Sequence, residues 1–277
     1  MGAATGHAIG EPLRHRDYVV SASFSPDGTR IVTASDVTAR VWDAATDHAI
    51  GVPLRHENRV NSVSFSPDGS QIVTASDDNT ARVWDAATGH AIGKPLRHES
   101  SVLWASFSTD SSRIVTASVD HTARVWDAAT GRAIGLPLRH GNLVRSANFS
   151  PDGTKVVTAS ADNTARVWDA ATGQAIGGPL RHEGSLNSAS FSPDGTKVVT
   201  ASDDNTARVW DAATGQAIGG PLRHEGIVIS ASFSPDGIKV VTASRDKTAR
   251  VWDAATGQAI GVPMRHESTH APRERRA

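Results

Sequence analysis

Histidine, threonine and aspartate recur together in this 277-residue sequence: His182, Thr200 and Asp204 in one stretch return as His98, Thr116 and Asp120 in another, and six copies carry such a set. An imidazole, a hydroxyl and a carboxylate are the groups of a nucleophile–base–orienter triad. One histidine per copy also invites a metal reading. Both readings fail on the same ground. The set is repeated in every copy with a tryptophan beside it, which marks framework rather than a single reactive centre. Histidines in different copies should not converge as metal ligands must. The sequence holds no glycine-rich phosphate loop and no nucleophile elbow. The expectation is a chain that is not an enzyme, with no catalytic residues, no cofactor and no metal.

These residues sit on a repeated frame. The stretch Thr206-Ala207-Arg208-Val209-Trp210-Asp211-Ala212-Ala213-Thr214-Gly215 occurs six times with little change, and Trp42, Trp84, Trp126, Trp168, Trp210 and Trp252 are spaced 42 residues apart. A fixed period in this range means stacked copies of one supersecondary unit. Copy five reads most cleanly. Ser188 to Phe191 alternates small or polar with apolar, Ser192-Pro193-Asp194-Gly195 is a turn, and Lys197 to Ser202 is β-branched. Asp203-Asp204-Asn205 turns, Thr206 to Trp210 is a third strand, Ala212 to Gly215 turns again, and Gln216 to Leu222 makes a poorer fourth strand. That fourth strand carries a proline in each copy, from Pro12 and Pro53 to Pro263, which assigns it to a sheet edge. The unit is a four-stranded antiparallel meander. Radial stacking buries both faces of such a sheet, which gives an all-β propeller.

At these residues the chain resembles the WD-repeat β-propeller family, over residues 4–266. The Trp-Asp pair is present in every copy, and the family's Gly-His pair appears as Arg-His. The resemblance implies a buried hydrogen-bonded tetrad in each blade. By position these are His15, Thr33, Asp36 and Trp42; His56, Thr74, Asp78 and Trp84; and His98, Thr116, Asp120 and Trp126. The remaining three are His140, Thr158, Asp162 and Trp168; His182, Thr200, Asp204 and Trp210; and His224, Thr242, Asp246 and Trp252. Copy one has a one-residue deletion before Asp36, and copy three loses the usual turn in Thr109-Asp110-Ser111-Ser112. A leading outer strand is expected over 7–14, the propeller over 1–266, and a basic disordered tail over 267–277. Six full repeats favour a six-bladed ring, with an incomplete seven-bladed array as the alternative.

Lys+Arg is 28 and Asp+Glu 29, a formal net charge of -1. That argues against nucleic acid and anionic membrane as partners. There is no cysteine, no visible secretory signal, and no apolar run near the ~20 residues of a membrane span, so a cytoplasmic location is expected. The arginines Arg82, Arg124, Arg166 and their equivalents suggest a basic ring, but the acidic residues of each repeat nearly cancel them.

Function is sought where the copies differ. Three residues after the histidine stand Tyr18, Arg59, Ser101, Leu143, Ser185 and Ile227; five after it stand Val20, Asn61, Leu103, Arg145, Asn187 and Ile229. Before the tetrad aspartate are Asp77, Val119, Ala161, Asp203 and Arg245, and after it Val37, Asn79, His121, Asn163, Asn205 and Lys247. Copy three alone carries Trp104 where the others have serine. In a meander all these positions fall at one end. The expected partner-binding set is Tyr18, Arg59, Asn61, Asp77, Leu103, Trp104, His121, Arg145, Asn187, Asp203, Arg245 and Lys247, contacting a protein or peptide. The chain reads as an interaction scaffold, of the kind that forms the sensor part of a larger signalling protein. The alternatives are a structural fragment of a longer array and an enzyme with a site at the channel mouth.

Overall fold

Residues 12–265 are described by the structure, a computed structural model. Each repeat folds as anticipated into four short strands. In blade two these are Val60–Phe65, Gln71–Ser76, Thr80–Asp85 and Ala91–Arg97, hydrogen-bonded antiparallel in sequence order. The other five blades repeat this meander, and no helix occurs among the described residues. The second strand, Ile-Val-Thr-Ala-Ser in blade two, is covered on both faces and accordingly reads as a continuous small and β-branched run. The fourth strand lies at the outer edge, where Pro53 and its equivalents need no ladder partner. It carries a bulge at its glycine. Gly51 sits at φ 66°, and a Cβ there would lie 2.7 Å from the Thr88 carbonyl oxygen of the next blade.

First strands of successive blades pack side by side, so they line the centre and fourth strands form the rim. Each hydrophobic cluster is shared by two blades. Val32, Val41 and Leu54 on the trailing face of blade one bury against Val60, Phe65, Ile72 and Trp84 on the leading face of blade two. Five such clusters join the six blades. A fully buried side chain of this size contributes roughly 1.5–3 kcal/mol, so the interfaces hold the blades in register.

The architecture is therefore a six-bladed propeller array of antiparallel sheets, with one departure from the ring that the repeat count favours. Among the described residues the sixth interface is not made, and the array is open between blade six and blade one. Phe24 is 64% exposed, whereas its equivalent Phe65 is 8% exposed. Residues 12–14 of the expected leading strand are not in a strand, and residues 7–11 lie outside the described residues, as does the tail 267–277.

Copy three does not lose its first turn. Ser111 takes the left-handed position at φ 61°, where the other copies have glycine, and its N–H donates to the Ser108 carbonyl as in the glycine turns. The constancy of the exposed turns also has a local cause. In Ser25-Pro26-Asp27-Gly28 the aspartate accepts the Ser25 hydroxyl at 2.6 Å and the Thr29 N–H at 3.0 Å. These donors hold Asp27 down at about 2. In the third turn Asp85 Oδ1 accepts the Thr88 N–H and hydroxyl at 2.8 and 2.7 Å. Exposure alone therefore does not free these turns to vary.

Candidate functional site

The candidate site is the end of the array formed by the second turn of each blade and the link to the next. The frame beneath it is the tetrad. In blade two the Trp84 indole N–H donates to Thr74 Oγ1 at 2.8 Å. Thr74 Oγ1 lies 2.7 Å from His56 Nε2, and His56 Nδ1 lies 2.7 Å from Asp78 Oδ2. The proton pattern follows. An ionised carboxylate only accepts, so Nδ1 carries the hydrogen and donates. Nε2 is then an acceptor for the threonine hydroxyl, which in turn accepts from the indole. The same chain recurs in blades three to six, with tryptophan–threonine distances of 2.8 Å and histidine–aspartate distances of 2.8–2.9 Å.

In blades two to six further donors hold the tetrad aspartate, and the sequence reading did not anticipate them. Asp78 Oδ2 accepts the Glu57 N–H, and Oδ1 accepts both the N–H and the hydroxyl of Thr80 at 3.0 and 2.5 Å. The signal was present: Thr80, Thr122, Thr164, Thr206 and Thr248 all stand two residues after the aspartate, the spacing of an aspartate-bonded turn. Burial, opposed by the aspartate bond, lowers the pKa of His56, His140 and His182. Burial acts to raise Asp78, but the Thr80 and His56 hydrogen bonds outweigh it and its pKa is lowered. The network is thus built for neutral histidine and ionised aspartate.

Blade one breaks the pattern. Trp42 Nε1 reaches Thr33 Oγ1 at 2.8 Å, and His15 Nε2 lies 3.0 Å from it, but among the described residues His15 and Asp36 make no hydrogen bond. The deletion leaves two residues, Asp36 and Val37, between strands 30–35 and 38–43, where blade two has three. Asp36 is drawn into the left-handed turn position at φ 51° and cannot serve as the histidine's acceptor.

The tetrad threonines are closed off from solvent in blades two to five. Thr74, Thr116, Thr158 and Thr200 are fully buried, and their hydroxyls are spent on indole and imidazole. The arginines are part of the frame as well. Arg82, Arg124, Arg166, Arg208 and Arg250 stack over the tryptophan two residues on, at 5.9–6.0 Å from its ring.

Above the frame, the variable residues divide. Tyr18, Arg59, Trp104, His121, Arg145, Arg245 and Lys247 are exposed, and Leu103 is half-buried. Asn61, Asp77, Asn187 and Asp203 are engaged in joining blades. Asn61 donates from Nδ2 to Asp77 Oδ1 at 2.7 Å and to the Val102 carbonyl of blade three at 3.0 Å. Asn187 repeats this with Asp203 at 2.8 Å and the Val228 carbonyl of blade six at 2.9 Å. Copies two and five are those with both residues, so the two positions vary together and are linked by this contact. The position itself is a β-bulge: in blade two the register shifts between Val60 and Ser62. His121 and Lys247 occupy the left-handed turn position at φ 68° and 67°, shared with Asn79, Asn163 and Asn205. That position prefers asparagine and constrains the side chain it presents.

The family model for the WD domain, G-beta repeat, matches residues 9–43, 50–85, 92–127, 137–169, 178–211 and 220–253. A comparison with curated proteins gave no match.

Proposed function

Because the chain belongs to the WD-repeat family, whose repeats generally serve as protein-interaction scaffolds, we propose that it is a non-catalytic recognition module that reads a protein or peptide with its variable end. One observation carries the reading. Exposed Tyr18, Arg59, Trp104, His121, Arg145, Arg245 and Lys247 differ from blade to blade, while the hydrogen-bonded frame below them is nearly constant. Side chains set on a rigid scaffold and free of framework duty are the usual carriers of recognition. Tryptophan, tyrosine and arginine are frequent interface anchors. Asn61, Asp77, Asn187 and Asp203 border the same end and tie blade two to three and blade five to six. The cationic members suit a partner segment with acidic groups.

The reading includes neither nucleic acid nor membrane as partner, in keeping with a net charge of -1, and a cytoplasmic location, compatible with a cysteine-free chain. A place as the sensor part of a larger signalling protein is consistent with it.

The test is a random peptide library displayed on phage and selected on the immobilised chain. Enriched peptides that lose binding to the triple variant R59E/R145E/R245E, with an unchanged melting temperature, support the proposal. Failure to enrich any peptide, or enrichment indifferent to the three substitutions, overturns it.

A further inference from the structure

Among the described residues the same interface forms five times, and both halves of a sixth are present without a partner. In the fifth, Val199, Val209 and Leu222 on a trailing face are buried against Val228, Val240 and Trp252 on a leading face. On the trailing face of blade six, Val241 and Met264 are 40% and 49% exposed where Val199 and Leu222 are 0%. On the leading face of blade one, Val19 and Phe24 are 48% and 64% exposed where Val60 and Phe65 are 0% and 8%. The two open faces carry the residue types of the closed ones at the same register positions. Each is therefore complementary to the other by the packing already seen within the chain.

We propose that the trailing face of blade six docks on the leading face of blade one of a second copy of this chain. The occupant follows from the complementarity of the two faces. A second copy presents the required face as an intact, folded blade. The contact is heterologous: one surface of a copy meets a different surface of the next, so copies join in rows or in closed rings. It is also separate from the variable end, because it uses sheet faces rather than second turns and links. Recognition of a partner and association of copies can therefore coexist.

The heterologous geometry gives a test that other forms of association fail. Phe24→Glu places a charge on the leading face alone, and Val241→Glu on the trailing face alone. Both side chains are exposed in the single copy, so neither substitution endangers the fold, and equal melting temperatures verify this. Light scattering of the unsubstituted chain should show a mean mass rising above 29.0 kDa with concentration. The range to cover is about 1 µM to about 300 µM, which spans stable to weak association. Each variant alone should remain at 29.0 kDa, because one of its two faces is blocked. An equimolar mixture of the two variants should recover one interface and stop at twice that mass. The proposal is overturned if the unsubstituted chain stays monomeric throughout, as it would on closing upon itself. It is equally overturned if a single variant associates as well as the parent, or if the mixture gives no dimer.

Discussion

Replacing Thr116 by valine tests the tetrad most directly. The two side chains are nearly the same shape, so no cavity opens, but two buried groups lose their partner. The Trp126 indole N–H, 2.8 Å from Thr116 Oγ1, is left without an acceptor. His98 Nε2, 2.7 Å from the same oxygen on a side chain with no exposed surface, is left without a donor. Each unsatisfied buried group costs about 1–3 kcal/mol, and the apolar valine recovers part of this, so a net loss of about 2–4 kcal/mol is expected. At roughly 2–4 °C per kcal/mol for a chain of this size, the melting temperature should fall by about 5–15 °C. Thr33→Val in blade one supplies the internal comparison. His15 is half-buried and makes no bond to Asp36, so water can reach its ring, and the Trp42 N–H is the group left stranded. The loss there should be nearer ~1–2 kcal/mol. Urea unfolding followed by tryptophan fluorescence measures both. A Thr116→Val variant within about 0.5 kcal/mol of the parent, or a Thr33→Val variant at least as damaging, would refute the reasoning from buried unsatisfied groups.

Three further outcomes are expected. Lys247→Asn should stabilise the chain by about 0.5–1 kcal/mol in the same urea assay, because lysine at φ 67° occupies a position that asparagine tolerates better. Asn61→Ala and Asp77→Ala should each cost ~1 kcal/mol, and their double-mutant cycle should show a coupling of about 0.5 kcal/mol or more, since the amide bridges Asp77 and the next blade. Stability should decline as pH falls, in two windows. His56, His140 and His182 have lowered pKa values, so below 6.5 the unfolded chain takes up protons first; their stabilisation is complete above that pH and is lost beneath it. Asp78 and Asp162 are also lowered, the latter to about 2, so their contribution is present above 3.8 and is lost as pH falls below it. Melting temperatures that rise on going from pH 7 to pH 5 would contradict the sign.

Much of the candidate site was legible because the chain repeats itself. Setting six copies side by side separated frame from variation, and strand boundaries then placed the variable positions at one end. What the comparison could not separate was variation for packing from variation for binding. Asn61 and Asp77 look like free surface residues in the sequence, yet they bond to each other and to Val102 of the next blade. The pairing is visible in sequence as a coupled change in copies two and five, but its reason is a contact across an interface. Asp36 is a second instance. Aligned by type it completes a tetrad, whereas a two-residue hairpin turns it away.

The sequence by itself determined the strands, their antiparallel order, the edge position of the proline strand and the presence of six full four-stranded repeats. All of these rest on local turn chemistry and on a period printed six times. Tertiary structure alone decided whether the blades meet in a ring. Closure depends on the angle at which Val199, Val209 and Leu222 and their counterparts pack against the next blade, accumulated over five interfaces. That angle is a property of side chains brought together from different repeats. Repeats so nearly identical are equally compatible with a ring and with the open array observed, in which Phe24 and Val241 remain exposed.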